Sequence, residues 1–166
     1  MQSKSQIIHL PQNNETKKIE YSEIVFVDST VSQVELYIIA REWITMNFKS
    51  ALAVIQMEDK EAGILIGKGN LNIEVTMYLT NSVVNFTFKI QVKNGKYRYW
   101  LTDFVHVSNQ QGFSGGSLED DKPDCGTFNM MKKGWEQVKE QTDAKIKLLI
   151  VDLKREMTQK TNNNNW

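Results

Sequence analysis

Cysteine occurs once in the 166 residues, at Cys125, and histidine twice, at His9 and His106. A lone cysteine forms no intramolecular disulfide and no cysteine zinc site. The two histidines stand too far apart in sequence to show metal-ligand spacing. Neither a metal nor an organic cofactor is therefore expected. Excess charge of either sign is also missing, since 20 basic residues balance 20 acidic ones. Dedicated nucleic-acid binders usually carry a basic surplus, because phosphate contacts supply most of their affinity. No apolar run is long enough to span a membrane. No signal peptide is visible, and the chain opens with the polar stretch MQSKS. A mature exported chain restarted at Met1 and a cytoplasmic chain with a frayed start both read this way.

What is present is the composition of a globular domain, 40% apolar and 24% charged. Residues 1–16 are polar and are expected to be a flexible segment. Residues 17–158 are expected to form a single domain, and 159–166 a polar, disordered tail. KKIEYSEIVFV (17–27) alternates into a first strand. Ser32 and Glu35 then make an S-x-x-E capping box. Leu36, Tyr37, Ala40, Trp43, Ile44 and Phe48 follow on one helical face. Strands are expected over 50–58, 64–76, 82–93 and 96–107. A Gly/Ser/Asp/Asn-rich loop follows over 108–129, long enough to be functional or mobile. A helix of about 130–157 carries an apolar stripe from Met131 and Trp135 to Leu153 and Met157. The order is β-α-β-β-β-β-α. This is an α+β chain with a mainly antiparallel sheet and both helices on one face.

GILIGKGN (63–70) resembles a phosphate loop only superficially. Gly63 and Gly67 are one residue too close, Gly69 stands where a hydroxyl is required, and more strand follows where a helix should begin. As a strand it sets Leu65, Gly67, Gly69, Leu71 and Ile73 on one face. The two missing side chains would let a bulky helical residue, Trp43 or Trp135, approach the backbone.

Asn94-Gly95 predicts a two-residue type I′ turn, with positive φ at both positions. Its register would pair Val92 with Tyr97, Ile90 with Tyr99, Phe88 with Leu101 and Val84 with Val105 in the core. Asp103 would join that face opposite Phe86 and need a partner, either backbone or a lysine near a helix end. The opposite face would carry Lys89, Arg98, Trp100, Phe104 and His106. It reads either as a binding platform or as rings covered by the Lys89 and Arg98 stems, by a dimer partner or by the C-terminal tail. Ser114 lacks the G-x-S-x-G setting of a serine nucleophile. Cys125 reads as a loop thiol.

Several motifs recur in order: REWITMNFKSALAVIQMEDKEAGILIGKG, the hairpin VNFTFKIQVKNGKYRY, TDFVH and W-x-x-V-K-E-Q. Together they resemble an uncharacterised bacterial family described as a domain of unknown function with a TBP-like fold. The resemblance covers about residues 20–157. It implies a curved antiparallel sheet with helices on one face, and export to the Gram-negative envelope. It implies no activity, so no catalytic residue carries over.

Three functions follow as expectations. The first is a non-enzymatic envelope domain that binds a protein, peptide or surface ligand through the open sheet face, with a homodimer through that face as a variant. The second is nucleic-acid or other polyanion binding by Lys89, Lys93, Lys96, Arg98, Trp100 and Phe104, which zero net charge and export disfavour. The third is an enzyme using Asp103, His106 or Cys125. Alternation along one strand would set Asp103 and His106 on opposite faces.

Overall fold

Ser32 starts the first helix as the sequence predicts. Its side chain accepts from Glu35 N at 3.2 Å, and the Glu35 carboxylate accepts from Ser32 N at 2.9 Å. This reciprocal box satisfies two of the donors that a helix start leaves open. In the computed structural model, which describes residues 8–48, 54–75 and 80–162, the elements are β1 (Tyr21–Phe26), α1 (Gln33–Asn47), β2 (Ile55–Asp59), β3 (Ile64–Val75), β4 (Thr80–Lys93), β5 (Lys96–Ser108), β6 (Gly116–Ser117), α2 (Gly126–Asn129) and α3 (Lys132–Asn162). The six strands form one antiparallel sheet ordered β1-β5-β4-β3-β2, with β6 paired to β5.

Several boundaries differ from the sequence reading. Residues 50–53 and 76 of two expected strands lie outside the described residues, as do 1–7 and 163–166 of the expected flexible ends. The first strand begins at Tyr21, because Lys17 turns the chain at φ 60°. Gln12 bridges to Ile19, and the Asn13 side chain accepts from Glu15 N and Thr16 N. The long loop carries β6 and α2, and α3 runs to Asn162. Met131 precedes α3 and is exposed, so the buried stripe starts at Trp135.

The 94–95 turn also departs from expectation. Only Gly95 has positive φ, at 70°, so the turn is not type I′. The tertiary setting overrides the local preference here. Asn94 Oδ1 accepts from Gln33 N at 2.8 Å, and Gly95 N donates to Val31 O at 3.0 Å. The turn is thus held by the start of α1.

The chain divides into two compact units. The first comprises 1–19, 70–85 and 103–145, and the second 20–69, 86–102 and 146–166. In the second unit, Leu36, Tyr37, Ala40, Trp43 and Ile44 of α1 and Leu153 and Met157 of α3 are buried, as are Phe86, Phe88, Ile90, Tyr97, Tyr99 and Leu101 of the sheet. Trp43 Nε1 donates to Asp152 Oδ2 at 2.9 Å, tying the two helices. In the first unit, Trp135, Val138 and Thr142 of α3 are buried with Ile73, Val84, Phe104, His106 and Leu118.

The glycines of β3 do face the core, but neither tryptophan occupies the space. A Cβ on Gly69 would meet Phe86, with Cε1 at 2.8 Å, and Phe48, with Cε1 at 2.9 Å. One on Gly67 would meet Phe88, with Cε1 at 2.9 Å. The rings come from the neighbouring strand and from the residue after α1. Phe48 stacks on Phe88 at 5.7 Å and meets Trp43 edge-on at 6.0 Å. Trp135 sits instead on the backbone of Gly115 in the first unit.

Candidate functional site

The candidate face was expected to hold Lys89, Arg98, Trp100, Phe104 and His106 together. The structure keeps the first three on the partly exposed side of the second unit and buries the other two in the first. The cause is one residue. Asp103 has φ 56°, a left-handed conformation that Asp tolerates better than most residues. Burial along β5 falls on Tyr97, Tyr99 and Leu101, then on Phe104 and His106. The alternation slips by one position at Asp103, as at a β-bulge. Phe104 is 0% exposed and His106 1%, whereas Val105 and Val107 are each 38% exposed. The expected core pairing of Val105 with Val84 is lost for the same reason.

Asp103 itself is not a core acid. It is partly exposed, and its carboxylate pairs with Lys18 Nζ at 2.5 Å. The partner is a lysine as anticipated, but it comes from the segment before β1 rather than from a helix end.

His106 Nδ1 accepts from Gly115 N at 2.9 Å, which leaves the proton on Nε2. Nε2 is buried with no hydrogen-bond partner among the described residues, and the ring meets Trp135 edge-on at 6.0 Å. Burial pushes the His106 pKa down from the ordinary 6.5 to about 4. The imidazole is therefore neutral at pH 7. In the unfolded chain it takes a proton near pH 6.5, so the unfolded state holds more protons between about pH 6.5 and 4. Stability from this group is complete above pH 6.5 and is lost as pH falls towards 4. Urea midpoints at pH 7 and pH 5 should diverge in the native protein. The gap should shrink in His106→Leu, and an unchanged gap would remove His106 as its source.

Burial pushes the Cys125 thiol up, away from the thiolate a nucleophile needs. The Ser114 hydroxyl accepts from Ser108 N at 3.0 Å. Among the described residues no group of three or more His, Cys, Asp or Glu is placed to hold a metal ion.

What remains on the helix-free side of the second unit is a cation–aromatic strip. β1 pairs with β5 in the register Ser22 with Trp100, Ile24 with Arg98 and Phe26 with Lys96. Directly opposed residues share a face. Arg98 Cζ lies 4.2 Å from the Trp100 ring centre and Lys89 Nζ 4.9 Å. Lys96 Nζ lies 5.8 Å from the Phe26 ring. Phe26 is nonetheless 73% exposed and Ile24 50%. Lys68 Nζ donates to Thr87 Oγ1 at 2.6 Å, placing both on this face. Met57, opposite Ile66, adds an exposed apolar residue at the far strand. The sequence reading missed Ile24 and Phe26. The signal was present, since even-numbered positions of IEYSEIVF share the face of Ser22, but only the β1–β5 pairing places them on the face of Trp100.

A six-stranded antiparallel sheet with its helices defines an α+β protein, and its arrangement is the TBP-like fold. Residues 21–107 match the family "Domain of unknown function (DUF4468) with TBP-like fold", and the chain belongs to that family. The fold is similar to that of a TBP-like protein from Parabacteroides distasonis ATCC 8503. That likeness has a TM-score of 0.69 and 16% identity, covering 89% of this chain and 96% of that one. It is also similar to a DUF4468 family protein from Bacteroides ovatus ATCC 8483, with a TM-score of 0.59 and 16% identity over 89% of this chain and 90% of that one. Identity at this level carries the fold alone. No curated protein matches the sequence. The family's function is unknown, and a TBP-like fold does not by itself imply nucleic-acid binding. No helix among the described residues is long and apolar enough to cross a membrane.

Proposed function

We propose that this chain is a non-enzymatic binding domain whose partner, a protein or peptide, docks on the helix-free sheet face around Trp100. The observation that carries this reading is the exposure of Ile24, diagonal to Trp100, and of Phe26, two residues further along opposite Lys96, on the face of a tryptophan already gripped by Arg98 and Lys89. Isolated apolar residues on a surface are ordinary, but a contiguous patch rimmed by polar groups marks an interaction site. Aromatic and Arg side chains are also the residue types that dominate binding energy at protein interfaces. The export implied by the family resemblance makes an envelope component the proposed source of the partner.

The test compares partner capture from envelope extract by the native chain and by a Phe26→Ser/Trp100→Ala variant with a matched unfolding midpoint. Capture is expected to drop at least about tenfold in the variant, as when interface anchors are truncated. Equal capture by both would overturn the sheet face as the working surface. Self-association that the same variant abolishes would identify the partner as a second copy of the chain.

A further inference from the structure

The sheet face differs from the rest of the second unit in how its charges are handled. Elsewhere in that unit several cations meet carboxylates. Lys154 pairs with Glu23 at 2.5 Å, Arg41 with Glu58 at 3.0 Å, and Arg155 with Asp152. On the helix-free face stand Lys68, Lys89, Lys93, Lys96 and Arg98, and none of these five forms an ion pair among the described residues. Their contacts are a hydroxyl and two aromatic rings. Arg98 Nε is covered and has no hydrogen-bond partner among the described residues. In a chain of zero net charge this is a local surplus: the acids on the same side are Glu20, whose carboxylate accepts from Ser22 Oγ at 2.7 Å, and Asp59, which accepts from Ala62 N at 2.9 Å. Such a field attracts an oppositely charged partner and selects it by electrostatic complementarity.

Two anionic partners come into question, and the rings discriminate between them. Single-stranded nucleic acid binds by stacking bases on open aromatic faces. Here Trp100 lies under Arg98 and Lys89, so the series of open rings such binding uses is reduced to Phe26, which is 73% exposed with Lys96 Nζ 5.8 Å from its ring. Cations held over rings are positioned to meet carboxylates rather than to yield the ring to a base. The exposed large apolar residues on this side are Ile24, Phe26 and Met57, which suit the side chains of a polypeptide. We infer that the occupant of this face is an acidic polypeptide segment, whose Asp and Glu carboxylates meet Lys89, Lys96 and Arg98 while its apolar residues cover Ile24 and Phe26. The inference rests on the sheet-face reading above and adds the chemistry of the partner.

Poly-L-glutamate titrated calorimetrically into the full chain tests it. Binding is expected, weakening with added salt as exposed charges are screened. Lys89→Gln/Arg98→Gln should weaken it about five- to tenfold. Lys133→Gln/Lys145→Gln, which removes the same charge from exposed positions of α3, should leave it within about twofold, a loss set by net charge alone. A single-stranded oligonucleotide of equal charge should bind more weakly than polyglutamate. No polyglutamate binding, an equal loss in both charge variants, or tighter oligonucleotide binding would each overturn the acidic-segment assignment. The two readings fail separately. Partner capture lost in Phe26→Ser/Trp100→Ala without polyglutamate binding would keep the face and reject the acidic partner. Capture that survives that variant would reject the face itself.

Discussion

Phe104→Ala should lower the free energy of unfolding by about 3–5 kcal/mol, whereas Trp100→Ala should cost about 1 kcal/mol. The two aromatics sit four positions apart on β5, and strict alternation would make them equivalent members of one open face. The bulge at Asp103 separates them. Phe104 has no exposed surface, and Leu118 N donates to its carbonyl at 3.0 Å. Removing the ring leaves a cavity that the surrounding β-structure fills poorly, which is why such truncations are expensive. Trp100 is half-buried under two cation stems and loses mainly those ring contacts. Urea denaturation of the two variants checks the contrast. Similar small losses would mean that Phe104 faces solvent and that β5 runs without a bulge.

The second large effect is expected at Gly69. Gly69→Ala should destabilise the fold by about 3 kcal/mol, an overpacking cost at the upper end of the usual range. In an exposed strand the same change is neutral or favourable, since alanine restricts the unfolded chain. Here the new methyl would run into the Phe86 ring and lie 2.9 Å from Phe48 Cε1. Neither ring has room to yield, because Phe86 is fully buried and Phe48 stacks on Phe88. A Phe86→Leu change in the same chain should recover part of the loss by vacating that space, and a double-mutant cycle measures the coupling. Additive effects in the cycle would show that the methyl and the ring do not compete.

These two positions also mark the limits of what could be read from the chain. GILIGKGN was legible as a strand with a glycine-lined core face, since alternation and failed motif spacing are local facts. The occupant of the glycine space was not legible. Phe86 and Phe88 lie in the expected core set of β4, but nothing in sequence orders them ahead of Trp43 or Trp135. DFVHV was harder still. Phe104 and His106 on one side and Val105 and Val107 on the other are both acceptable core sets, so a one-residue slip leaves no mark in the pattern. The positive φ of Asp103 is a property of the folded strand. Asp is common enough in ordinary loops and turns that its presence at 103 did not announce a bulge.

The sequence by itself determined the order of the seven longer elements, the capped start of α1, the alternation of β4, the buried stripe of α3 and membership of a TBP-like family. Each rests on a repeat of two or of three to four residues, on a cap spanning four positions, or on an ordered string of motifs. Only the tertiary structure decided the phase of β5 after Asp103, the rings that fill the glycine face, the conformation of the Asn94-Gly95 turn and the apolar neighbours of Trp100. Those depend on which strand lies beside which, and on contacts between residues as far apart as Phe26 and Lys96. Local periodicity says which side of an element is apolar; it does not say what will be set against that side.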